Sequence, residues 1–494
     1  MRIPSERVSG DRSRLEGARY RQKPPGKQWL ERKEKSGKGV ADTEKPNQNR
    51  LRRSNRLPRK PISSRVRRRF GGPDGVQQAD AIFRKAAIRL IPVMGLMYVI
   101  SYLDRTNIGF AALTMNRDLG FSPRVFGFGS GIFFLGYFLF EVPSNLMLEK
   151  VGARAWMCRI MVTWGLLAMA CAFIAGPWSF YILRFLLGVA EAGLYPGMIL
   201  YMTYWFPQAT RGRFIALFLA AVPMASVVGG PLSGWLLDFN GHGLRGWQWM
   251  LLLEGLPSVV LGVALLWLLP DRPAAAKWLT ADEKAVVMER LAGEPPGELH
   301  GLWQMLQDKR IWILIIPDFS IVIGLYGLGL WMPQIISAMG FSHKETGLLV
   351  MVPYSVAVAA MLAAGASSDR SGERVFHVAG SALTAAAGLL GTAFLHGTVP
   401  VMLSLCVASA GIYAALAVFW TLPTSILRGM AAAGGLALLN SFANLGGYFG
   451  PDLMGWARQE TGDFTLGLSG LAGMEALAAV SVILIGRAFF RRPA

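Results

Sequence analysis

Residues 120–154 read GFSPRVFGFGSGIFFLGYFLFEVPSNLMLEKVGAR. An apolar run is framed by Gly-Phe-Ser on one side and by Glu-Lys-Val-Gly-Ala-Arg on the other. About twenty apolar residues make a helix long enough to cross the hydrocarbon core of a membrane. The same frame returns at 340–374, where GFSHKETG begins at Gly340 and DRSGER at Asp369. Both matches to the first copy, at Gly120 and Glu149, lie 220 positions upstream. Two matches in one register, on either side of a whole span, mark an internal repeat. The fold is therefore expected to contain two copies of one helical unit.

The rest of the chain fits such a unit. Of 494 residues, 53% are apolar and 16% charged, whereas about a quarter of a soluble globular protein is charged. Membrane helices are expected at 88–112, 124–148, 155–175, 178–204, 212–237, 247–269, 310–335, 345–367, 376–396, 399–422, 430–455 and 464–488. One apolar run would suit a signal peptide or an anchor, but twelve make a polytopic membrane protein. The hydrophilic segment 270–309 divides them six and six, and its LTADEKAVVMERL (279–291) has the spacing of an amphipathic helix. The expected organisation is an N-terminal extension over 1–80, a first half over 81–269, a linker over 270–309 and a second half over 310–494.

Lys and Arg set the orientation, because short basic loops stay cytoplasmic. EKVGAR (149–154), QATRGR (208–213), SDRSGER (368–374), LRG (427–429), the linker and the tail RAFFRRPA (487–494) all fall on one side. The opposite loops GPW (176–178) and HGTVP (396–400) are poor in basic residues; residues 116–124 and Arg245 are mild exceptions. Both termini are expected in the cytoplasm, with the chain in a bacterial inner membrane. The first eighty residues, closing on Arg65, Arg67, Arg68 and Arg69, carry most of the +19 net charge. Low hydrophobicity with high charge predicts disorder there. Nucleic-acid binding and attraction to anionic lipid are possible readings of such an arm. The plainer one is an extension without specific function, or a start site placed upstream of one at Val76. No nucleic-acid partner is expected.

Ionisable residues inside spans decide the chemistry. Each costs about 2.5–3.5 kcal/mol on insertion scales, and normally faces the bundle interior or a watery cavity. Asp104 and Arg105 stand side by side in YVISYLDRTNIGF (98–110). Helix neighbours point about 100° apart, so these two cannot pair well with each other. In the fourth span, Arg184 and Glu191 are seven residues apart, about 20° short of two full turns, so they share a face. Gly188 and Tyr195 lie on that face, which reads as a lining surface. One reading pairs these four charges among themselves to fix helix packing. The other gives them cargo and protons. An arginine facing a cavity suits a carboxylate, which its planar fork can grip with two hydrogen bonds. An acid in such a site can take and release a proton. His242, His300, His343, His377 and His396 fall in loops or at span edges, so proton coupling is left to the carboxylates.

The segments YLDRTNI (102–108), EVPSNLMLEKVGAR (141–154), RFLLGVAEAGLYPG (184–197), YWFPQATRGR (204–213) and NSFANLGGYFGP (440–451) resemble the anion:cation symporter branch of the major facilitator superfamily. Parallel six-helix repeats are that superfamily's architecture. The resemblance covers about 80–494 and implies an all-α membrane protein of twelve helices in two pseudo-symmetric halves. It also implies proton sites at Asp104 and Glu191, a carboxylate contact at Arg105, and a neighbouring Arg184 that couples the acids to substrate. Tyr102, Tyr137, Trp420 and Asn440 match positions lining the substrate site. A helix 5 glutamine of galactonate-type relatives is replaced here, with Val222 closest, which favours a shorter or less hydroxylated acid.

Of the remaining charges, Glu254 reads as structural, Arg159 begins the third span, Glu141 lies near the cytoplasmic end of its span, and Asp318 is a candidate to approach the cavity. Tyr326 and Trp331 either line the site or pack. Glu149, Lys150, Gly152 and Arg154, with Asp369, Arg370, Gly372 and Arg374, read as gating loops, or as topology signals alone. Cys158, Cys171 and Cys406 form neither a disulfide framework nor a metal pattern. No GxxxxGK[ST] loop is present. Neither a nucleophile–base pair nor a metal constellation points to an enzyme, and no cofactor is expected. The expected function is import of a small carboxylate (a tartrate-like dicarboxylate, a sugar acid or an aromatic acid) with a proton, by a monomer in the bilayer. Efflux, exchange, sodium coupling and a transporter-like receptor are the alternatives.

Overall fold

A computed structural model describes residues 73–292, 307–427 and 431–489. The described chain is helical: α1 Pro73–Leu119, α2 Pro123–Val151, α3 Ala153–Ala170, α4 Pro177–Glu191, α5 Leu194–Thr203, α6 Gln208–Leu236, α7 Gly246–Leu268, then α8 Ala281–Ala292. After it come α9 Lys309–Ser337, α10 His343–Ser371, α11 Val375–Phe394, α12 Thr398–Phe419, α13 Thr421–Ile426, α14 Ala431–Asn444, α15 Gly446–Thr461 and α16 Thr465–Phe489. Among the described residues ten spans are long and apolar enough to cross a membrane, some made of two helical pieces. The 29-residue α6 and the broken pair α14–α15 occupy the other two expected places.

The repeated residues do the same work in both copies. Gly120 and Gly340 adopt φ of 66° and 95°, turning the chain where α1 and α9 end. Glycine takes such angles without steric cost. Ser122 and Ser342 then cap α2 and α10, accepting from the backbone amides of Val125 and Glu345. Gly152 and Gly372, at φ 103° and 67°, end the same two helices.

The last glycine of each repeated octapeptide joins the halves. A Cβ at Gly127 would lie 2.6 Å from the Pro451 carbonyl oxygen, and one at Gly347 would lie 2.4 Å from that of Gly230. A Cβ at Gly109 of α1 would meet the Leu330 carbonyl of α9 at 2.6 Å. Small residues let membrane helices approach this closely. All three crossings lie toward the end that carries the 120–122 and 338–342 loops. There Asp238 also meets His343 at 2.9 Å and Lys344 at 3.5 Å. Towards the opposite end, Glu141 of α2 accepts from Asn440 at 3.0 Å and Ser441 at 2.5 Å, both on α14.

Two expectations are corrected. The first helix begins at Pro73 rather than near 88, so residues 73–80, expected to be disordered, are helical. Ala79, Ile82, Ala86 and Leu90 are buried, and their three- and four-residue spacing gives the extension an apolar stripe to pack. The remainder of the N-terminal extension lies outside the described residues. The fourth span is broken after Glu191, with Gly193 at φ 87°. Pro196 lacks an amide proton, and its ring would clash with the carbonyl of Ala192 in a continuous helix.

The amphipathic segment forms α8 as its spacing predicts, burying Val286 and Val287. It docks beside the extension of α1, where Lys85 reaches Glu283 at 2.9 Å and Arg89 lies over Trp278 at 5.0 Å. Burial raises the Glu283 carboxyl, but hydrogen bonds from Lys85 and from the Thr280 backbone outweigh it and leave Glu283 below the usual glutamate range.

Candidate functional site

A cavity lies between the halves, lined chiefly by α1 and α9. Tyr98, Tyr102 and Arg105 face it from α1, spaced four and three residues apart on one helical stripe. Asp318, Val322, Leu325 and Tyr326 face it from α9 with the same spacing. Asp318 stands 220 positions after Tyr98, and Val322 the same distance after Tyr102, so equivalent stripes of the repeat meet across the cavity. Tyr137 of α2, Tyr195 of α5, Trp420, and Asn440 and Asn444 of α14 complete its polar and aromatic wall.

Arg105 is the cationic group of this wall. Its Nε donates to Glu191 Oε1 at 2.8 Å, and its Nη1 donates to the Tyr326 hydroxyl at 3.1 Å. Tyr102 lies 3.2 Å from the same hydroxyl. The rings of Tyr102 and Tyr137 stand 5.2 and 5.0 Å from the guanidinium carbon, within cation–π range. Ser101 donates to Glu191 Oε1 at 2.6 Å, while Glu191 Oε2 is buried with no protein partner. The guanidinium is thus held by one half and touches the other half through Tyr326.

The other sequence-predicted residues divide. Tyr102, Tyr137, Trp420 and Asn440 line the cavity with Arg105. Glu191 stands one hydrogen bond behind it. Asp104 points elsewhere: it accepts from Ser258 of α7 at 2.9 Å and from Asn107 at 3.3 Å. Arg184 is buried behind the wall, 5.0 Å over the Phe133 ring, with no hydrogen-bond partner for its Nε. The α4 face expected to line the cavity instead packs on α2, where a Cβ at Gly188 would overlap the Phe133 carbonyl. Of the weighed residues, Tyr326 and Asp318 reach the cavity, whereas Trp331 packs and donates to the Pro451 carbonyl at 3.2 Å. Glu254 accepts from Ser233 at 2.7 Å, a packing contact between α7 and α6.

In the loops, Asp271 accepts from the Arg154 backbone amide at 2.8 Å, and Arg374 meets Asp369 at 2.7 Å. The first pair ties the linker to the first half, and the second stays within the second half. Glu373, hydrogen-bonded by the Phe376 and His377 amides and by the His377 ring, lies below the usual glutamate range although burial opposes this. Sequence reading missed Glu475 of α16, which is fully buried against Gly324 with both oxygens unpartnered. A charge inside the apolar run GLAGMEALAAV was the available signal. Among the described residues no cluster of His, Cys, Asp or Glu could hold a metal ion.

Comparison with known proteins agrees with this architecture. The chain is 48% identical over 421 residues to a protein of Agrobacterium vitis named "Putative tartrate transporter", covering 84% of this chain and 94% of that one. It is 44% identical to the Pseudomonas putida "Putative metabolite transport protein NicT", over 82% of this chain and 94% of the other. Among solved structures, a bacterial homologue of the human lysosomal transporter Spinster, inward-facing and occupied, superposes with a TM-score of 0.67 at 16% identity, over 82% of this chain and 98% of that chain. The family model of the Major Facilitator Superfamily matches residues 94–451, and the chain belongs to that superfamily of membrane transporters.

Proposed function

We propose that this transporter imports a small organic carboxylate together with a proton across the bacterial inner membrane. The observation that carries the reading is Arg105, a guanidinium on the wall of an aromatic cavity between the halves, tied to a buried acid. A guanidinium suits a carboxylate, and the name of the Agrobacterium vitis relative gives one such cargo. Glu191 and the cargo carboxylate compete for one fork. A proton on Glu191 weakens its hold on Arg105 and releases donors to the incoming anion, so proton and anion travel together. Asp104, hydrogen-bonded to Ser258 and Asn107 rather than to Arg105, acts further from the cargo as a second proton site. Arg184 couples it to Glu191 through their shared charge.

Residues 81–269 and 310–494 rock about the cavity in alternating access, while 270–309 stays on the cytoplasmic side with both termini. In that orientation the glycine crossings seal the periplasmic side. The Asp271–Arg154 and Asp369–Arg374 contacts stabilise helix ends on the cytoplasmic side and are exchanged as the halves move. Efflux, exchange or sodium coupling on the same fold is the other reading.

Uptake of labelled tartrate into liposomes tests this. An inward proton gradient should drive accumulation, a sodium gradient alone should not, and Arg105→Lys should abolish uptake while the protein still reconstitutes. Accumulation driven by sodium alone, or near-normal uptake by Arg105→Lys, would contradict the proposal.

A further inference from the structure

Asp318 is left unexplained by this reading. It sits on the cavity stripe of α9, and its side chain is 1% exposed. Neither carboxyl oxygen has a hydrogen-bond partner. Glu191 is engaged by Arg105 and Ser101, Glu141 by Asn440 and Ser441, and Asp104 by Ser258 and Asn107; Glu475, also unpartnered, packs against Gly324 and does not line the cavity. A buried carboxyl with neither a proton nor a donor is costly. Asp318 and Arg105 lie in one cavity wall but on different halves, so a molecule between them has a donor fork on one side and unpartnered acceptor oxygens on the other.

We infer that Asp318 is a second recognition point, accepting a hydrogen bond from a hydroxyl of the cargo whose carboxylate is held by Arg105. The inference rests on the carboxylate reading above and narrows the cargo to hydroxy acids. Protonated or ionised, the carboxyl keeps an oxygen able to accept from a hydroxyl. A site built around such a bond rejects the analogue that lacks it, because its polar group is then left unpaired. The tyrosine rings around the cavity suit the carbon skeleton of the cargo, and both halves grip it at once.

The test compares three four-carbon dicarboxylates, tartrate, malate and succinate, which carry two, one and no hydroxyl groups. Their binding to the purified chain is read from thermal stabilisation over a concentration series. Wild type should bind tartrate at least about tenfold more tightly than succinate, with malate between them. Asp318→Leu should bring the three within about threefold of one another, and the isosteric Asp318→Asn, which still accepts, should fall between. An undiminished tartrate preference in folded Asp318→Asn and Asp318→Leu would overturn the assignment, as would equal binding of the three acids by wild type. Failure of all three to bind wild type would instead remove the carboxylate reading, and this inference with it.

Discussion

Arg105 binds Glu191 and Tyr326 at once, and those two contacts belong to different halves of the molecule. On the proposed mechanism the residue responds both to the occupancy of the cavity and to the approach of the halves. Glu191→Gln separates its roles. The amide keeps the shape of the acid and cannot exchange a proton. If Glu191 couples the proton, the variant should lose gradient-driven accumulation but keep tartrate binding and the exchange of labelled for unlabelled substrate. If Glu191 serves only to neutralise Arg105, the unpaired cation costs about 3–5 kcal/mol, and expression, binding and exchange fail together. Flux and binding assays on one preparation distinguish the outcomes. At this scale the sequence was informative about residue type and less about partners. The resemblance pointed to Arg105, Tyr102, Tyr137, Trp420 and Asn440, which share one cavity. The pairing of Arg105 with Glu191 depends on how α1 and α4 are rotated against each other, which periodicity within one helix does not contain. For the same reason Arg184, on the face expected to line the cavity, is buried behind Phe133.

Among the elements, α8 makes the clearest separate prediction. Its capping box joins Thr280 and Glu283, and Glu283 also holds Lys85. The folded Glu283 carboxyl lies below its unfolded value. Its contribution to docking is thus complete above the ordinary glutamate pKa of about 4.3 and is lost as pH falls through the lower folded value. The contact is partly exposed, so its worth is about 0–1 kcal/mol. Glu283→Gln should raise hydrogen exchange in α8 at neutral pH by about threefold, and wild type should approach the variant as the medium is acidified below pH 4. Equal exchange in both proteins at neutral pH would show that the aromatic stack of Trp205 on Trp278 holds the helix without the ion pair. Helix positions were legible from hydropathy and from turn residues, since Gly120, Ser122 and Gly152 mark their ends in the sequence itself. The early start of α1 was less so, because Ala79, Ile82, Ala86 and Leu90 form an amphipathic stripe rather than a membrane-length run. The break after Glu191 was signalled by Gly193 and Pro196, but apolar residues on both sides masked it.

For the whole molecule, the two halves meet closely at glycines near one end, and the repeat had already marked two of them, Gly127 and Gly347. A side chain at Gly347 meets backbone rather than a flexible group, so the clash can be relieved only by moving α10 away from α6. Gly347→Leu should therefore wedge that end open. Transport should fall at least tenfold, about 1.4 kcal/mol in the closing equilibrium, while binding persists and a cysteine placed at Val350, buried against Gly230 at the same crossing, gains reactivity toward an impermeant thiol reagent. Normal transport by Gly347→Leu would mean that this crossing is not part of the moving interface. The joint movement of anion and proton has a more direct readout. Liposomes holding the purified protein, in weakly buffered medium with equal pH on both sides and potassium with valinomycin to clamp the voltage, are given external tartrate, and external pH is recorded. Proton-coupled import predicts that the medium turns alkaline as tartrate enters, in wild type and not in Arg105→Lys. Tartrate entry with an unchanged external pH, or with acidification, would contradict it.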